Sequence, residues 1–360
     1  MKYLFFVQNE GRGHLTQSLT VAGELRLKGH EIVGVVLSDN PNRQTPAFFK
    51  EQINTPLYSV KSPYFLKNKQ QTGVDLPKSV IFNLFRSLAY LSSIIKIKKL
   101  CSTLKPDVIL NFYEPTIGLS HFFYKNLPIT YSFGHQFFLD HAAFPKLENK
   151  KVEHSFLNFY NTLVAYGSAK KLALSFTEED DDLINNLIVC PPLIRPEIKK
   201  LETSNQNFIL SYVLNDGYCE EIINWAKLNP EKRIEAFWDK KNEPATTLFG
   251  SNLTFHQLSG SLFINFLKDC SLYVSTAGFE SICEAAYLQK NILMVPTANH
   301  YEQQCNAVDA KRAQIAQSDN YFNIDLGLTT NYSAEAKKIF RAWVDNNSNK
   351  IIDIITDNSN

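Results

Sequence analysis

The sequence predicts an α/β protein of two domains, each containing a parallel β-sheet covered by helices. Short apolar segments alternate with helical patterns in both halves of the chain, which is typical of parallel sheets with right-handed crossovers. This alternation is interrupted at residues 191–196, where three prolines occur within six positions. In addition, a chain of 360 residues exceeds the size at which single hydrophobic cores stop growing.

The first half contains five predicted strands and a well-marked first helix. The strands are the apolar segments 2–7, 31–37, 107–112, 128–132 and 172–176. The helix between the first two carries four apolar residues on one face: Leu15, Leu19, Ala22 and Leu25. It ends at Gly29, because glycine favours the left-handed conformation that follows a helix.

The second half repeats this pattern. Its predicted strands are residues 208–214, 233–238, 252–255, 272–274 and 291–295. The three prolines exclude a helix and favour an extended connector between the halves. We therefore predict a first domain over residues 1–190, a linker over 191–206, a second domain over 207–345 and a C-terminal tail over 346–360, of which the polar residues 353–360 are expected to be frayed.

Two further segments have both a structural and a functional interpretation. Residues 80–100 show apolar side chains at helical spacing, which predicts either a core-facing helix or a helix that touches a membrane surface. Asn83 and Arg86 make this segment too polar to cross a bilayer. In the acidic segment 177–183, Thr177 and Asp180 predict a helical capping box rather than a metal site.

Composition limits the classes of function. With a formal net charge of +1, no global field attracts the protein to nucleic acid. The six cysteines form no CxxC pair and no metal-ligand spacing, so we expect reduced thiols in a cytoplasmic protein. The first residues show no signal-peptide pattern, which favours the same location.

A glycine turn follows the first strand and opens the first helix. Gly11 and Gly13 flank an arginine, and His14 comes next. A histidine at this place can act as a general base, complete a nucleotide cradle or cap the turn. The two glycines, with Asp39 after the second strand, also resemble a dinucleotide fingerprint, which keeps a nicotinamide-dependent enzyme as an alternative. Thr16 replaces the third glycine of that fingerprint, so the alternative is the weaker one.

The second informative stretch covers residues 272–307. It predicts a strand, a small-residue turn at 275–278, a helix, a strand and a polar loop. Backbone N–H groups at the start of that helix form a ready site for an anion. Glu280 or Glu284 on the helix can accept hydrogen bonds from sugar hydroxyls. The loop after Pro296 carries four polar side chains: His300, Glu302, Gln303 and Asn306.

Together these stretches resemble the GT-B glycosyltransferases, particularly the N-acetylglucosaminyltransferase of peptidoglycan lipid II synthesis and its uncharacterised bacterial and archaeal relatives. The resemblance rests on the turn at 11–14 with its helix, the PPLIRPEI linker, and residues 275–307. In the last stretch the family shows a small-residue turn, a helical glutamate, a Val-Pro and a Gln-x-x-Asn-Ala. The implied fold is GT-B, in which two Rossmann-like domains have parallel sheets that face a central cleft.

The resemblance also implies an activity. A hexosyltransferase of this kind moves a hexose or N-acetylhexosamine from a nucleotide-diphosphate donor, usually UDP-linked, and needs no further cofactor. Glu284 would hold the ribose hydroxyls, and Glu302 with Gln303 would contact the donor sugar. The complete donor set is Gly13, Thr276, Ala277, Gly278, Glu284, Glu302 and Gln303. His14 would be the general base for the acceptor hydroxyl.

This chemistry sets further expectations. In-line attack inverts the anomeric centre, and a helix N-terminus can stabilise the departing diphosphate without a metal. Glu114, His135 and His300 are candidates for an acceptor or additional site. We expect a cell-envelope glycan or lipid-linked acceptor. Aromatic and basic stretches near Tyr64, at 80–100 and near Phe122 favour peripheral contact with the inner face of the membrane.

Two departures from the family pattern support a rival hypothesis. Relatives commonly have Gly-x-Pro where this chain has Gln289-Lys290-Asn291, and the expected glycine-rich loop is reduced to Asn215-Asp216-Gly217. A GT-B-shaped protein that binds a nucleotide sugar without turnover is therefore the main alternative. A nonhydrolysing UDP-sugar epimerase shares the two-domain frame, but its clustered acid and base residues are not found here.

Overall fold

A computed structural model of the protein describes residues 1–39, 45–64, 66, 76–147, 149–213, 216–240 and 243–357. These residues form two compact units. The first comprises Met1–Leu66, Asp75–Leu193 and Val344–Asn360, and the second comprises Ile194–Trp343. The chain passes from one unit to the other between Leu193 and Ile194, inside the proline-rich segment.

The first unit contains a seven-stranded sheet with strand order β3-β2-β1-β4-β5-β6-β7. All its neighbouring strands pair in parallel. In chain order the elements are β1 (Lys2–Val7), α1 (Arg12–Leu27), β2 (Glu31–Asp39), α2 (Ala47–Ile53), β3 (Leu57–Lys61), α3 (Leu76–Phe85), α4 (Ser87–Leu104), β4 (Val108–Phe112), α5 (Pro115–Phe123), β5 (Ile129–Phe133), α6 (Lys151–Val164), β6 (Lys170–Leu174) and β7 (Leu187–Cys190).

The second unit also contains a seven-stranded sheet, with order β10-β11-β9-β8-β12-β13-β14. Only the edge pair β10–β11 is antiparallel among its described strands. The elements are α7 (Pro196–Lys199), β8 (Ile209–Tyr212), α8 (Cys219–Leu228), β9 (Ile234–Trp238), β10 (Thr246–Phe249), β11 (Leu253–Gln257), α9 (Gly260–Asp269), β12 (Leu272–Thr276), α10 (Phe279–Tyr287), β13 (Asn291–Val295), α11 (Tyr301–Arg312), β14 (Gln317–Ser318), α12 (Ile324–Thr329) and α13 (Ala334–Asn346). The end of α13 and the last helix, α14 (Lys350–Thr356), belong to the first unit.

The sheets are covered by helices, as the apolar strands require. Every residue from Tyr3 to Val7 in β1 is fully buried. Strands covered on both faces need such continuous apolar runs, because neither face meets water. Leu4 and Phe6 pack with Ile109 of β4 and Ile117 of α5. The prediction of two α/β domains with parallel sheets is confirmed.

Every predicted strand is present, with ends displaced by at most two residues. The sequence patterns miss β3, β7, β10 and β14. β3 and β10 lie at sheet edges, where partial exposure breaks up the apolar pattern. β14 contains only two residues, which is too short for any periodicity to be visible.

The segment 80–100 forms parts of two helices, α3 and α4, rather than one. The break lies at Arg86, between Phe85 and Ser87. Asn83 lies in α3 and links this helix to the segment after β3, because its Nδ2 donates to the carbonyl oxygen of Tyr64 at 3.0 Å. Among the helices that the structure describes, none is long and apolar enough to span a membrane.

The acidic segment 177–183 does not begin an α-helix, so the predicted capping box is wrong. Asp182 instead caps a short 3-10 turn and accepts from the backbone N–H of Asn185 at 3.2 Å. Asn186 then adopts a left-handed conformation with φ of 51°, which turns the chain directly into β7. Within the described part of the chain, no group of three or more His, Cys, Asp or Glu side chains is arranged to hold a metal ion.

The C-terminal segment 346–360 is not a separate tail, and the part expected to be frayed, from Asp353, begins inside helix α14. Helix α14 buries Ile351, Ile352 and Ile355 and belongs to the first unit. The hydroxyl of Tyr3 in β1 donates to the carbonyl oxygen of Ile355 at 3.0 Å. The isoleucines of α14, spaced three and four residues apart, give this short helix an apolar face despite the polar residues around them. Residues 358–360 lie outside the described residues.

Gly118 permits close packing of α5 against α6. A Cβ atom at this position would lie 1.9 Å from the carbonyl oxygen of Leu163. Gly118→Ala should therefore lower the free energy of unfolding by about 1–3 kcal/mol or more, because backbone atoms must move to relieve the clash. The measurement is urea-induced unfolding followed by circular dichroism.

Gly23 in α1 provides a matched control for this prediction. A Cβ atom there would meet nothing within 4 Å. Gly23→Ala should stabilise the protein by ~0.5–1 kcal/mol, because alanine is the better helix former. Equal unfolding midpoints for the two variants would contradict the packing role of Gly118.

Candidate functional site

The polar residues of the first unit collect at one edge of its sheet. β1, β2, β3 and β4 run in the same direction, so their carboxyl ends lie side by side. Buried polar residues lie within two residues of the last residue of each strand, among them Asn9, Ser38, Ser62 and Glu114. Ligands of open parallel sheets bind at this edge.

His14 lies in the first turn of α1. This helix begins at Arg12, and its N-cap residue, Gly11, supplies no side-chain hydrogen bond. The imidazole Nδ1 atom is 3.0 Å from Oε1 of Gln17, one turn further along the same helix. Its ring stacks on the ring of Tyr113, with centroids 5.5 Å apart and planes 16° apart. The histidine is therefore held by side chains from two segments.

Tyr113 adopts an unusual backbone conformation at the end of β4. Its φ is 62°, a left-handed value that costs energy for an aromatic residue and that occurs preferentially at functional sites. The phenol donates to Oδ1 of Asn161 at 2.6 Å. Asn161 Nδ2 in turn donates to the carbonyl oxygen of Gln136 at 2.8 Å. The sequence analysis missed Tyr113 and Asn161, because they contact each other only through the fold.

Glu114 is the N-cap of α5 and is fully buried. Its Oε1 accepts from the hydroxyl of Ser62 at 2.6 Å and from the hydroxyl and N–H of Thr116 at 2.9 and 3.1 Å. Oε2 has no hydrogen-bond partner among the residues that the structure describes. Burial raises the pKa of Glu114 to about 7, although the hydrogen bonds from Ser62 and Thr116 act in the opposite direction. This candidate therefore titrates near neutrality.

Two histidines of the first unit, the candidate His135 and its neighbour His141, are packed among aromatic rings. His135 is buried, and its Nδ1 donates to the carbonyl oxygen of Leu174 at 2.6 Å. Its ring contacts Phe176 at a centroid distance of 5.2 Å. His141 Nε2 lies 3.0 Å from the carbonyl oxygen of Asp180, and the ring stacks on Phe138. A role of His135 in binding stays a prediction.

In the second unit, the small-residue turn lies between β12 and α10. Thr276 ends β12, Ala277 is fully buried, and Gly278 is the N-cap of α10 without a side-chain cap. Asn306 Nδ2 donates to the carbonyl oxygen of Ala277 at 2.9 Å. This hydrogen bond ties the turn to helix α11, and Gly278 follows the turn as the N-cap of α10. The first turn of α10 also carries an acidic residue, Glu280.

Glu284 forms a buried bidentate ion pair with Arg195. The guanidinium Nε and Nη2 atoms lie 2.5 and 2.8 Å from the two carboxylate oxygens, and Glu284 is only 3% exposed. Burial lowers the pKa of Arg195, but attraction to Glu284 outweighs it, so the pKa is raised. The sequence analysis quoted Arg195 within the proline-rich linker without assigning it a partner. Its guanidinium orients the carboxylate that is the candidate ribose ligand.

The predicted polar loop after Pro296 is present but ends at His300, since residues 301–312 form helix α11. His300 is its N-cap, and His300 Nδ1 accepts from the N–H of Gln303 at 3.4 Å. Oε1 of Gln303 accepts from the N–H of Thr297 at 2.8 Å. Glu302 and Gln303 therefore lie in the first turn of α11, at the carboxyl end of β13.

Residues 289–291, which depart from the family pattern, follow a regular C-terminal end of α10. Gln289 takes a left-handed conformation, with φ of 58°. Its N–H and that of Lys290 donate to carbonyl oxygens of α10, each at 2.9 Å. Lys337 Nζ donates to Oδ1 of Asn291 at 2.6 Å, and burial lowers the pKa of Lys337 to about 8. The departure is therefore compatible with a regular end of α10, and the alternative of a binding protein without turnover stays a prediction. Asn215, in the other departure, lies outside the described residues.

The chain is similar to one protein family in sequence and to several solved structures in fold. The sequence matches the family described as Glycosyl transferase family 1 over residues 1–331. No curated protein sequence is significantly similar. The glycotransferase of kitacinnamycin shares 15% identity, with a TM-score of 0.62 and coverage of 98% of both chains. MurG of Acinetobacter baumannii shares 14% identity, with a TM-score of 0.57 and 99% coverage of both.

Arabidopsis thaliana UGT89C1, solved with UDP-L-rhamnose, shares 15% identity, with a TM-score of 0.59 and coverage of 97% of this chain and 94% of its own. At these identities the structural matches establish the fold alone, which is the GT-B arrangement of two Rossmann-like domains. The family match extends over both units. The chain therefore belongs to glycosyl transferase family 1 and is a glycosyltransferase of the GT-B type.

Proposed function

We propose that the protein transfers a hexose or N-acetylhexosamine from a nucleotide-diphosphate donor, UDP-linked, to a cell-envelope or lipid-linked acceptor, with inversion and without a metal. The observation that carries this proposal is the arrangement of His14. Its Nδ1 lies 3.0 Å from the amide oxygen of Gln17, which is an acceptor, so in the neutral ring the lone pair is on Nε2. A neutral imidazole of this kind suits general-base catalysis near neutral pH.

The proposed reaction is a single displacement. The acceptor oxygen forms a bond with the anomeric carbon while its proton passes to Nε2 of His14. The bond from the anomeric carbon to the nucleotide diphosphate breaks, and the electron pair leaves with the diphosphate. Attack from the side opposite the leaving group inverts the anomeric centre.

The second unit supplies the features that suit a donor. The first turn of α10 begins at Gly278 without a side-chain cap, and helix N-termini stabilise anions such as a diphosphate. Each carboxylate oxygen of Glu284 has a lone pair beyond the one used by Arg195, so it can still accept from a ribose hydroxyl. Glu302 and Gln303 are proposed to contact the donor sugar.

The lipid-linked acceptor is supported by an exposed apolar ridge on α3 and α4. Leu84, Phe85 and Leu88 are 71%, 83% and 78% exposed, whereas Ile94 and Ile97 on the other face of α4 are buried. The complete ridge comprises Ile81, Leu84, Phe85, Leu88, Leu91 and Ile95. Exposed Lys96 and Lys99 continue it toward the end of α4. Of the stretch near Tyr64, Phe65 and residues 67–69 lie outside the described residues.

Replacing Glu284 should weaken donor binding. Glu284→Ala removes charge-assisted hydrogen bonds worth ~1.5–3 kcal/mol, so the Kd for UDP should rise roughly ten- to hundredfold in isothermal titration calorimetry. Glu284→Gln keeps the shape of the side chain and is measured alongside, because the alanine variant also leaves Arg195 unpaired. Glu197→Ala is the matched control, since Glu197 lies 3.6 Å from Arg195 but is exposed. Unchanged UDP affinity in a folded Glu284 variant rules out the ribose assignment.

Membrane contact is tested by co-sedimentation with liposomes. The protein should bind vesicles rich in anionic lipid, and salt should weaken binding, because each basic residue contributes ~1 kcal/mol at such a surface. Leu84→Ser with Leu88→Ser, and Lys96→Glu with Lys99→Glu, should each reduce binding. Ile184→Ser is the control, because Ile184 is 95% exposed outside the ridge. Protein that stays in the supernatant with anionic and neutral vesicles at low salt would point to a soluble acceptor.

A further inference from the structure

We propose that Gln17 is a positioning residue that fixes the tautomer of His14, while Tyr113 fixes the plane of its ring. This inference deepens the proposed function and rests on His14 as the base. Gln17 occupies a place three residues after His14 on α1, so both side chains lie on the same face of the helix. It is only 2% exposed, and its amide oxygen is 3.0 Å from His14 Nδ1.

The orientation of the amide sets the tautomer. In the structure Oε1 of Gln17 faces Nδ1, and an amide oxygen only accepts hydrogen bonds, so in the neutral ring Nδ1 carries the hydrogen and Nε2 the lone pair. A carboxylate in the same place would fix the same tautomer, but its charge would also stabilise the imidazolium and raise the pKa of the ring. Gln17 thus orients the base without adding a charge next to it. The titratable groups on the two segments that contact His14 are Glu10, Arg12, Tyr113 and Glu114.

The plane of the ring depends on a second set of contacts. Tyr113 stacks on the imidazole at a centroid distance of 5.5 Å, and its backbone is in the left-handed region, with φ of 62°. The phenol is anchored by Asn161, which is itself buried and bonded to backbone. Tyr160 and Phe137 pack against the other sides of the Tyr113 ring. Gln17 and Tyr113 therefore constrain two different degrees of freedom of the imidazole.

The tautomer can be read directly, without any assay of activity. Nitrogen-15 NMR of the full chain with labelled histidine distinguishes protonated from unprotonated ring nitrogens, and the His14 signals are assigned by their loss in His14→Asn. Above the pKa, wild-type His14 should be protonated at Nδ1. Gln17→Met keeps the length of the side chain but removes the acceptor, so the population should move to the Nε2-protonated form. Ser18→Ala, a change at the next buried residue of α1, should leave the tautomer unchanged.

A second variant tests the role of charge. Gln17→Glu should retain the Nδ1-protonated form and raise the pKa of His14 by about one unit or more, because an anion beside the ring favours the charged imidazolium. The acid limb of the kcat/KM profile should move to higher pH by the same amount, while the donor KM stays unchanged. A purely structural role for Gln17 would not move this limb.

Two results would overturn the inference. One is a wild-type His14 protonated at Nε2, and the other is an unchanged tautomer in folded Gln17→Met. Both are read from the NMR signals, so a protein that transfers no sugar would refute the proposed function and leave the tautomer assignment standing.

Discussion

The parallel pairing of β1 with β4 brings the candidate base of this glycosyltransferase next to the residues that hold it. Val7 lies opposite Phe112, and the N–H of Gln8 donates to the Phe112 carbonyl oxygen at 3.1 Å. Both strands leave the sheet at the same edge, so the turn before α1 and the turn before α5 must lie side by side. His14 and Tyr113, far apart in sequence, stack as a result. Without this register neither the orientation of the imidazole nor the burial of Glu114 would follow.

The second unit uses the same geometry for a different purpose. There the exit of β12 leads through a buried turn into α10, and Asn306 holds that turn through the Ala277 carbonyl oxygen. The positive end of the helix suits an anion, while Arg195 neutralises the carboxylate of Glu284 one turn further along. A buried carboxylate without such a partner would pay a large desolvation cost. The ion pair therefore permits an acidic residue to remain oriented beside a site proposed for a diphosphate donor.

Much of the fold could be predicted from the sequence, because continuous apolar runs mark strands that are buried on both faces. The failures have physical causes. Edge strands β3 and β10 are partly exposed, so their apolar pattern is incomplete. The acidic segment 177–183 has residues that suit either a helix cap or a turn, and in the structure Asp182 caps a short turn. At the candidate site, the motifs singled out His14 and Glu284, whose roles stay predictions. The residues that contact His14 are harder to predict from the sequence. Tyr113 and Asn161 meet only through tertiary contacts, whereas the three-residue spacing of His14 and Gln17 is a local signal.

The central claim is that His14 removes a proton from the acceptor during metal-free transfer from a UDP-linked sugar. The most direct measurement is release of UDP from a panel of UDP-sugars, with an extract of envelope lipids as acceptor and EDTA present. Wild-type protein should turn over under these conditions. His14→Ala should lose roughly 10²- to 10⁴-fold in rate, the usual contribution of a general base, while its affinity for UDP is unchanged. A His14→Ala variant that retains the wild-type rate, or a wild-type protein that releases no UDP, would contradict the account.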